Sequence, residues 1–316
     1  MNIAASLLGP IVPASFGRPG FLARASSFRD ADLDVDLSGA RIGITGGTSG
    51  IGLAAATALA ARGADVTLFG RDDAKGAEAA EKINRDTRNR ATFVRCDVGD
   101  FASVDRIARA LGPRPFDRFL HNASILTHSR AFTADGLETT YATNLVGPLR
   151  LQFRMDPHHE RLHRVVWVSS GGMYLVPLDL DELRGETKRF DGVRAYAQTK
   201  RAQILTARAM SRSREATCSV YSMHPGWVDT ASVKASLPRF YRLTRSLLRT
   251  PEQGADTAVW LAATSTALTP GGFYFDRETH DFELFPGTHA PKTLERSLFD
   301  RLAKDAHVDR AFISTS

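Results

Sequence analysis

From residue 41 onward, short apolar runs of strand-like composition alternate with longer amphipathic segments, and this alternation restricts the possible folds more than any other feature of the sequence. The first three pairs are Ile42–Thr45 with Leu53–Ala61, Val66–Phe69 with Ala74–Ile83, and Thr92–Arg95 with Val104–Leu111. Repeated strand–helix pairs need right-handed crossovers, which give a parallel sheet covered by helices on both faces.

The same pattern continues through the rest of the chain. Further strands are predicted at Arg118–His121, Val165–Ser169, Ser219–Met223 and Gly272–Phe275, and further helices at about 137–154, 194–213 and 252–264. The sequence therefore predicts an α/β fold, a single doubly wound domain with a seven-stranded parallel sheet flanked by helices. A chain of 316 residues can bury one such core, and its apolar composition shows no break between two domains.

Three regions are predicted around this core. Residues 1–38, rich in Pro, Gly, Ser and Arg, form an N-terminal arm; residues 39–276 form the main domain; residues 277–316 form a C-terminal extension. An insertion at 231–250 mixes bulky apolar side chains with arginines after the sixth strand, where such folds place elements that cover a ligand. It suits a flap over an apolar ligand, a contact with an anionic membrane surface, or an amphipathic helix packed permanently on the core.

Charge and cysteine content exclude several classes. The net charge of +6 comes from arginines spread over the whole chain, whereas a nucleic-acid partner favours a clustered basic face, so none is expected. Cys96 and Cys218 lie in separate apolar runs without a metal-ligand spacing, which indicates buried thiols and a cytoplasmic location. Apolar stretches before residue 13 are interrupted by Gly9 and Pro10, too short for a membrane span.

A glycine-rich segment, Thr45-Gly46-Gly47-Thr48-Ser49-Gly50-Ile51-Gly52, follows the first strand and opens the first helix. Gly46 would permit a tight turn, Gly50 would let the backbone approach a pyrophosphate, and Gly52 would let helix and strand pack closely. The positive end of the helix would then face the phosphates. A purely structural glycine turn is the alternative.

The end of the second strand indicates which dinucleotide is preferred. An acidic residue there would bind the adenosine ribose of NAD, but the sequence reads Phe69-Gly70-Arg71. Arg71 offers a guanidinium to a 2′-phosphate, so NADP(H) is predicted; otherwise Arg71 only caps the strand. Asp97, beyond the third strand, is placed to meet the adenine or to cap the following turn.

Tyr196 and Lys200 lie four positions apart on a predicted helix and so project from one face. A phenol with its ordinary pKa of about 10 is a poor proton donor at neutral pH, and a neighbouring ammonium favours the phenolate. On their own, the two residues would be ordinary helix-surface residues.

The ordered set Thr45-Gly46-x-x-x-Gly50-x-Gly52, Asn122-Ala123, Asn144, Ser170, Tyr196-x-x-x-Lys200 and His224-Pro225-Gly226 resembles the classical short-chain dehydrogenases/reductases, which share the Rossmann fold. The resemblance covers about residues 40 to 265, and several segments are similar to its retinol-dehydrogenase-like branch. It implies an oxidoreductase of the CH–OH group that uses a nicotinamide cofactor.

The resemblance also implies roles for individual residues. Tyr196 would transfer the proton, Lys200 would lower its pKa and hold the nicotinamide ribose, and Ser170 would hydrogen-bond the carbonyl oxygen. Asn144 would hold a water that links Lys200 to solvent. The cofactor-binding residues would be Gly46, Thr48, Ser49, Gly50, Ile51, Gly52, Arg71, Asp97, Val98, Asn122, Ala123, Tyr196, Lys200, Pro225, Gly226, Val228 and Thr230.

The sequence departs from the family pattern in three places. Ser170 and Tyr196 are 26 positions apart, so an extra loop at about 175–192 must fold away from the reacting centre. Ser124 replaces a glycine beside the cofactor, and His121 replaces an asparagine and is expected to be structural. No metal site is predicted at His158, His159 and His163, because no nearby set of cysteines or carboxylates completes a ligand shell with the usual spacing.

Apolar residues predominate in the segments expected to line the pocket, so the predicted substrate is a small lipophilic carbonyl or alcohol. The main alternative is a non-catalytic nucleotide-binding regulatory or scaffold protein of the same fold. A sugar-nucleotide epimerase conflicts with the glycine spacing. A homo-oligomer is an open expectation, since the helices bearing Asn144 and Tyr196 form the dimer surface in many relatives.

Overall fold

The computed structural model describes residues 12–87, 91–112, 115–156, 162–212, 218–285 and 287–308. A sheet with the order β3-β2-β1-β4-β5-β6-β7-β8 forms its centre. The strands are β1 Arg41–Thr45, β2 Asp65–Gly70, β3 Ala91–Arg95, β4 Arg118–His121, β5 Arg164–Val168, β6 Ser219–Met223, β7 Phe273–Phe275 and β8 Glu278–Thr279. The first seven pair in parallel, which confirms the predicted α/β fold and its doubly wound parallel sheet.

The eighth strand is a difference from the predicted seven-stranded sheet. It pairs antiparallel with β7 across a turn of two residues, Asp276 and Arg277, which both have positive φ (49° and 62°). Glycine or asparagine is usual at such positions, so the sequence carried no signal for this hairpin. Ion pairs of Asp276 with Arg24 and Arg249, and of Arg277 with Asp256, hold the turn.

Helices cover both faces of the sheet. They are α1 Val12–Phe16, α2 Arg18–Ala25, α3 Gly50–Ala60, α4 Asp73–Asp86, α5 Phe101–Leu111, α6 Thr139–Tyr141, α7 Gly147–Met155, α8 Leu180–Leu183, α9 Gly192–Ser211, α10 Ala231–Ser236, α11 Pro238–Thr244, α12 Pro251–Ala263 and α13 Lys292–Ala306. A π-helical segment, Ala142–Val146, joins α6 to α7, and 3₁₀ turns lie at Asp30–Asp32 and Gly171–Leu175.

Successive side chains of each buried strand point to opposite faces of the sheet, so the core consists of two layers, one on each face. On β5, Val165 and Trp167 face one layer, and Val166 and Val168 face the other. The first layer packs against α5, α7, α9 and α13, and the second packs against α3, α4 and α12. Both faces of the strands are therefore apolar, as a parallel sheet between helices requires.

The 231–250 insertion folds into α10 and α11, neither of which has a buried residue. Leu243 is 81% exposed, and Arg239, Arg242 and Arg245 are exposed as well. Trp227 contacts Phe240 edge to face, with ring centroids 4.9 Å apart. The flap, membrane and fixed-helix interpretations of this insertion stay predictions, as does the division at residues 38 and 276.

Searched within the described ranges, no helix has the length and apolar character needed to cross a membrane. The apolar stretches before residue 12 lie outside the described residues.

Candidate active site

The glycine-rich loop lies between β1 and α3, at the carboxyl edge of the sheet. Gly46 and Gly50 have φ of +64° and +53°, which L side chains rarely adopt. A Cβ on Gly52 would lie 2.2 Å from the Gly46 carbonyl oxygen, so only glycine allows this packing of helix on strand. Gly46 thus makes a turn that other residues rarely adopt, and Gly52 allows close packing of helix on strand; the approach of a pyrophosphate to Gly50 stays a prediction.

The N-terminus of α3 differs from those of the neighbouring helices. Asp72, Asp100 and Asp191 cap α4, α5 and α9 through their side chains, whereas Ser49 makes no side-chain cap at α3. The first turn of α3 also holds no acidic residue. Its N–H groups and the positive end of its dipole are thus suited to a phosphate, so the site fits the pyrophosphate of a dinucleotide.

Asn122 holds the glycine loop against the end of β4. Its side-chain nitrogen donates to the carbonyl oxygens of Thr45 (3.1 Å) and Gly46 (3.2 Å). The Thr45 hydroxyl accepts hydrogen bonds from the backbone N–H groups of Asn122 (3.0 Å) and Ala123 (3.1 Å). The Asn122-Ala123 pair therefore fixes the position of the loop.

Gly70, at the end of β2, lies against the loop residue Thr48. A Cβ at Gly70 would meet the Thr48 methyl carbon at 2.9 Å, so an acidic side chain here would require the loop to shift. Arg71 is exposed. The structure thus disfavours a ribose-binding carboxylate at Gly70 and leaves the Arg71 guanidinium accessible.

Asp97 and Val98 follow β3. The Asp97 carboxylate accepts a hydrogen bond from the Gly99 N–H (2.9 Å), which is the turn-capping alternative considered for this residue. Val98 is buried, and a Cβ at Gly147 would lie 1.6 Å from its carbonyl oxygen. Val98 therefore packs closely on the start of α7.

Tyr196, in the first half of α9, meets two serine hydroxyls. The hydroxyls of Ser170 and Ser124 lie beside the phenol oxygen. Burial raises the pKa of Tyr196, and the two hydroxyls act in the opposite direction by favouring the phenolate. The adjacent Ser169 is turned away, because its hydroxyl donates to the Lys200 carbonyl oxygen (2.7 Å). Ser170, not Ser169, thus adjoins Tyr196.

Lys200 is buried one turn further along α9. Its Nζ lies 5.5 Å from the centre of the Tyr196 ring and donates to the Val168 carbonyl oxygen at 2.8 Å. Burial lowers the pKa of Lys200 to about 7. Desolvation is the largest effect on the pKa of Tyr196, so the net shift is upward, opposite to the lowering by Lys200 that the family resemblance implies.

Asn144 lies in the π-helical segment and is fully buried. Its side-chain oxygen accepts from the Ile125 N–H (2.8 Å), and its side-chain nitrogen donates to the Thr199 hydroxyl (3.0 Å). Its carbonyl oxygen accepts from the Gln203 side chain (2.7 Å). Asn144 therefore ties the loop after β4 to α9, beside Lys200.

The segment after β6 completes the site. Pro225 is buried, Gly226 has a φ of +76°, and Val228 forms a bridge with Arg249. Thr230 caps α10 and lies 3.3 Å from the place of a Cβ on Gly50. The beginning of the insertion thus meets the glycine loop.

The remaining sequence expectations concern the histidines and the extra loop. His121 is buried between Phe119 and Trp167, with its Nε2 3.0 Å from the Gln152 side-chain oxygen. His163 is exposed, while His158 and His159 lie outside the described residues. No cluster of metal-ligating side chains was found in the described part of the chain.

The loop at about 175–192 lies along α9, because Gln198 donates to the Pro177 carbonyl oxygen (2.9 Å) and accepts from the Asp179 N–H (3.1 Å). Sequence reasoning assigned no part in the site to Ser124 or to Phe16 of the arm. The only signal for Ser124 was its departure from the family pattern.

Comparisons with known proteins agree with this geometry. Residues 40–179 match the family model for short chain dehydrogenases. Dehydrogenase/reductase SDR family member 12 from Bos taurus is 36% identical over 269 residues, which cover 83% of this chain and 84% of that protein. Retinol dehydrogenase 12 from Homo sapiens is 32% identical over 253 residues, covering 77% and 79% of the two chains.

Among solved structures, a short chain dehydrogenase/reductase family protein superposes with a TM-score of 0.61 at 28% identity, covering 76% of this chain and 96% of that one. Fold, ordered motifs and relatives agree. The chain therefore belongs to the short-chain dehydrogenase/reductase family, in its retinol-dehydrogenase-like branch.

Proposed function

We propose that this oxidoreductase interconverts a lipophilic carbonyl and its alcohol with NADP(H), and that Tyr196 is the acid–base residue. One observation carries the proposal: the Ser170 hydroxyl lies beside the Tyr196 phenol, and the Lys200 Nζ lies 5.5 Å from the centre of the Tyr196 ring. These are a phenol that can give a proton, a hydroxyl that can hydrogen-bond a reacting oxygen, and a lysine whose protonated form favours the phenolate.

The residues that would hold the dinucleotide are those of the glycine loop, Asn122-Ala123 and the segment from Pro225 to Thr230. Arg71 would pair with the 2′-phosphate, since Arg71 is exposed at the end of β2 and the neighbouring Gly70 carries no carboxylate. When bound, the nicotinamide supplies or accepts the hydride at the carbonyl carbon.

The side chains of the site would handle the oxygen and its proton. In reduction, Tyr196 gives its phenolic proton to the carbonyl oxygen as that oxygen gains negative charge. Ser170 hydrogen-bonds the same oxygen, and Ser124 supports the phenolate that remains. Protonated Lys200 stabilises this phenolate, and oxidation of the alcohol runs through the same groups in reverse.

Exposed apolar groups support a lipophilic substrate. Leu175 is 77% exposed and Leu243 81% exposed, on the two segments that follow Ser170 and Thr230. Trp227 and Phe240, whose rings are in edge-to-face contact, add aromatic surface where the insertion begins. Both cysteines are free and buried, in keeping with the expected reducing cytoplasm.

The test is a screen of purified protein with NADPH and a panel of aldehydes and ketones, followed by absorbance of the reduced nicotinamide, with NADH in parallel. We expect turnover of apolar carbonyls, faster with NADPH at equal subsaturating concentrations. Tight NADPH binding without turnover of any carbonyl or, in the reverse direction, any alcohol would favour the non-catalytic alternative. Equal use of NADH would contradict the cofactor assignment.

A further inference from the structure

The N-terminal arm places an aromatic ring beside the candidate catalytic residues. The ring of Phe16 lies so close to Gly171 that a Cβ on this glycine would be 2.9 Å from the Phe16 Cε2. Gly171 directly follows Ser170, whose hydroxyl lies beside the Tyr196 phenol. The ring also contacts His224 edge to face at 4.8 Å and stacks on Tyr174 at 6.1 Å. Phe16 thus fills the space between the segments that follow β5 and β6.

The backbone of the arm is bound at the same point. The Phe16 carbonyl oxygen accepts hydrogen bonds from the Trp227 N–H and from the Arg249 Nε, each at 2.9 Å. A Cβ on Gly226 would lie 2.5 Å from this oxygen. The arm and the Arg249 guanidinium together leave no room for a side chain at Gly226.

Buried charges hold the arm in this position. Asp276 is 1% exposed and pairs with two guanidinium groups, that of Arg249 (2.9 Å) and that of Arg24 (2.8 Å). The same two arginines donate to the Ser15 carbonyl oxygen, at 3.3 Å and 3.0 Å. Ser15, next to Phe16, is thus bound to this cluster of buried charges. Withdrawal of the arm would break the hydrogen bonds of the cluster and leave the Asp276 carboxylate without its Arg24 partner.

Phe16 itself is only half-buried, although Ser15 and Gly17 on either side of it are buried. A fixed backbone with a partly open aromatic ring is the arrangement of a pocket wall, because the ring can contact a further apolar group without moving the chain. Trp227, whose ring centre lies 6.1 Å from that of Phe16, continues this surface towards the insertion.

We propose that Phe16 is a specificity-determining residue: it forms the wall of the substrate site beside Ser170 and limits the size of the apolar substituent on that side of the carbonyl. The inference rests on the proposed function and adds to it the part of the chain that selects the substrate. A shorter side chain at this position would make room for a larger substituent, and a wider one would remove room.

The experiment compares Phe16→Leu and Phe16→Trp with wild type on methyl ketones whose second substituent grows from ethyl through phenyl to naphthyl. Phe28→Leu is the matched control, because Phe28 belongs to the same arm but contacts Phe21 and Arg277 instead of the site. We expect Phe16→Leu to raise the ratio of kcat/KM for naphthyl over ethyl about tenfold. Phe16→Trp should lower this ratio, and Phe28→Leu should leave it within about twofold of wild type.

NADPH affinity and thermal melting of each variant establish that it is folded. An unchanged ratio in both Phe16 variants, or an equal change in Phe28→Leu, would overturn the proposal. If wild type reduces none of the ketones, the proposed function fails, and ligand-observed NMR then measures the binding of the same ketones. Binding preferences that do not depend on residue 16 would overturn the inference in that case as well.

Discussion

The proposed cofactor side and the proposed substrate side of this site are built in different ways. On the cofactor side, Gly46, Gly52, Thr45 and Asn122 fit together within the first half of the sheet, through small residues and backbone hydrogen bonds. On the substrate side, Phe16 and Arg24 meet Gly226, Arg249 and Asp276, which are more than two hundred positions away. Motifs of neighbouring residues therefore predict the geometry of the cofactor side, but they give little information about the substrate side.

The two sides also depend on different forces. The glycine loop tolerates no added atom at Gly52, so its geometry is set by steric exclusion. The arm is held by a carboxylate shared between two buried guanidinium groups, so its geometry is set by charge. Substitutions should therefore affect the two sides separately.

Tyr196→Phe removes only the phenolic oxygen, where the two sides meet. We expect turnover to fall by about 10²- to 10⁴-fold, the usual loss with a positioned acid–base group. NADPH affinity should stay close to that of wild type, since the ring is kept. Steady-state kinetics and fluorescence titration measure the two effects, with Tyr221→Phe as control, because Tyr221 is buried in the core away from Ser170. Normal turnover in Tyr196→Phe would remove Tyr196 from the mechanism.

Asp276→Asn tests the charge that holds the substrate side. It leaves Arg24 and Arg249 buried without a counter-charge, so the free energy of unfolding should fall by about 3–5 kcal/mol. Urea denaturation measures this loss. Asp32→Asn, which removes the partner of the exposed Arg29, should cost less than about 1 kcal/mol. NADPH affinity of the folded Asp276→Asn protein should be nearly unchanged; a large loss would show that the two sides are coupled.

The pH dependence of stability tests the core beneath the cofactor side. Burial lowers the pKa of His121 to about 4, whereas the unfolded imidazole has a pKa of about 6.5. Between these values the unfolded chain binds more protons than the folded one, so stability is fully present above pH 6.5 and falls as the pH approaches 4. The contribution of this one group is about 3 kcal/mol.

His121→Leu should remove that part of the pH dependence, which urea denaturation at several pH values would reveal as a flatter slope than wild type. His163→Gln, at an exposed position, should keep the wild-type slope. Identical slopes in wild type and His121→Leu would contradict the lowered pKa.

Arg71→Ala is expected to have the smallest effect and to be confined to the cofactor side. Loss of a charge-assisted bond to the 2′-phosphate should reduce the preference for NADPH over NADH by about tenfold or more. Competitive titration of both dinucleotides measures the ratio. Arg85→Ala is the control, because Arg85 is an exposed arginine on α4 paired with Glu81. If the ratio of NADPH to NADH affinity does not change, Arg71 does not bind the 2′-phosphate, and the alternative that it only caps the strand is favoured.

These regions also show how far the sequence could be interpreted. The seven parallel strands and the glycine loop were predictable, because each depends on residues within a few positions of one another. The β7–β8 turn was not, because Asp276 and Arg277 take positive φ only with support from Arg24, Arg249 and Asp256.

Two features of the site could not be predicted from the sequence either: the position of Ser124 and the direction in which the pKa of Tyr196 is shifted. Spacing placed Tyr196 and Lys200 on one face of a helix, but the depth of burial, which decides the direction of the pKa shift, depends on the whole fold. The second hydroxyl beside Tyr196 belongs to Ser124, in the loop after β4, and no spacing of residues in the sequence indicates that the two side chains lie close together. Phe16 was also unpredictable, because its position in the site depends on contacts with segments far along the chain.

The ion pair between Arg24 and Asp276 has a consequence for the order of biosynthesis, because 252 positions separate the two residues. Domains fold from the N-terminus as the ribosome extends the chain. The glycine loop and β1 to β4 can assemble early, while the arm, although made first, has to wait for Asp276. In a nascent chain the glycine loop can therefore form well before Phe16 reaches its place beside Ser170. The ion pair between Arg24 and Asp276 should form late in folding, because it joins residues far apart in the sequence.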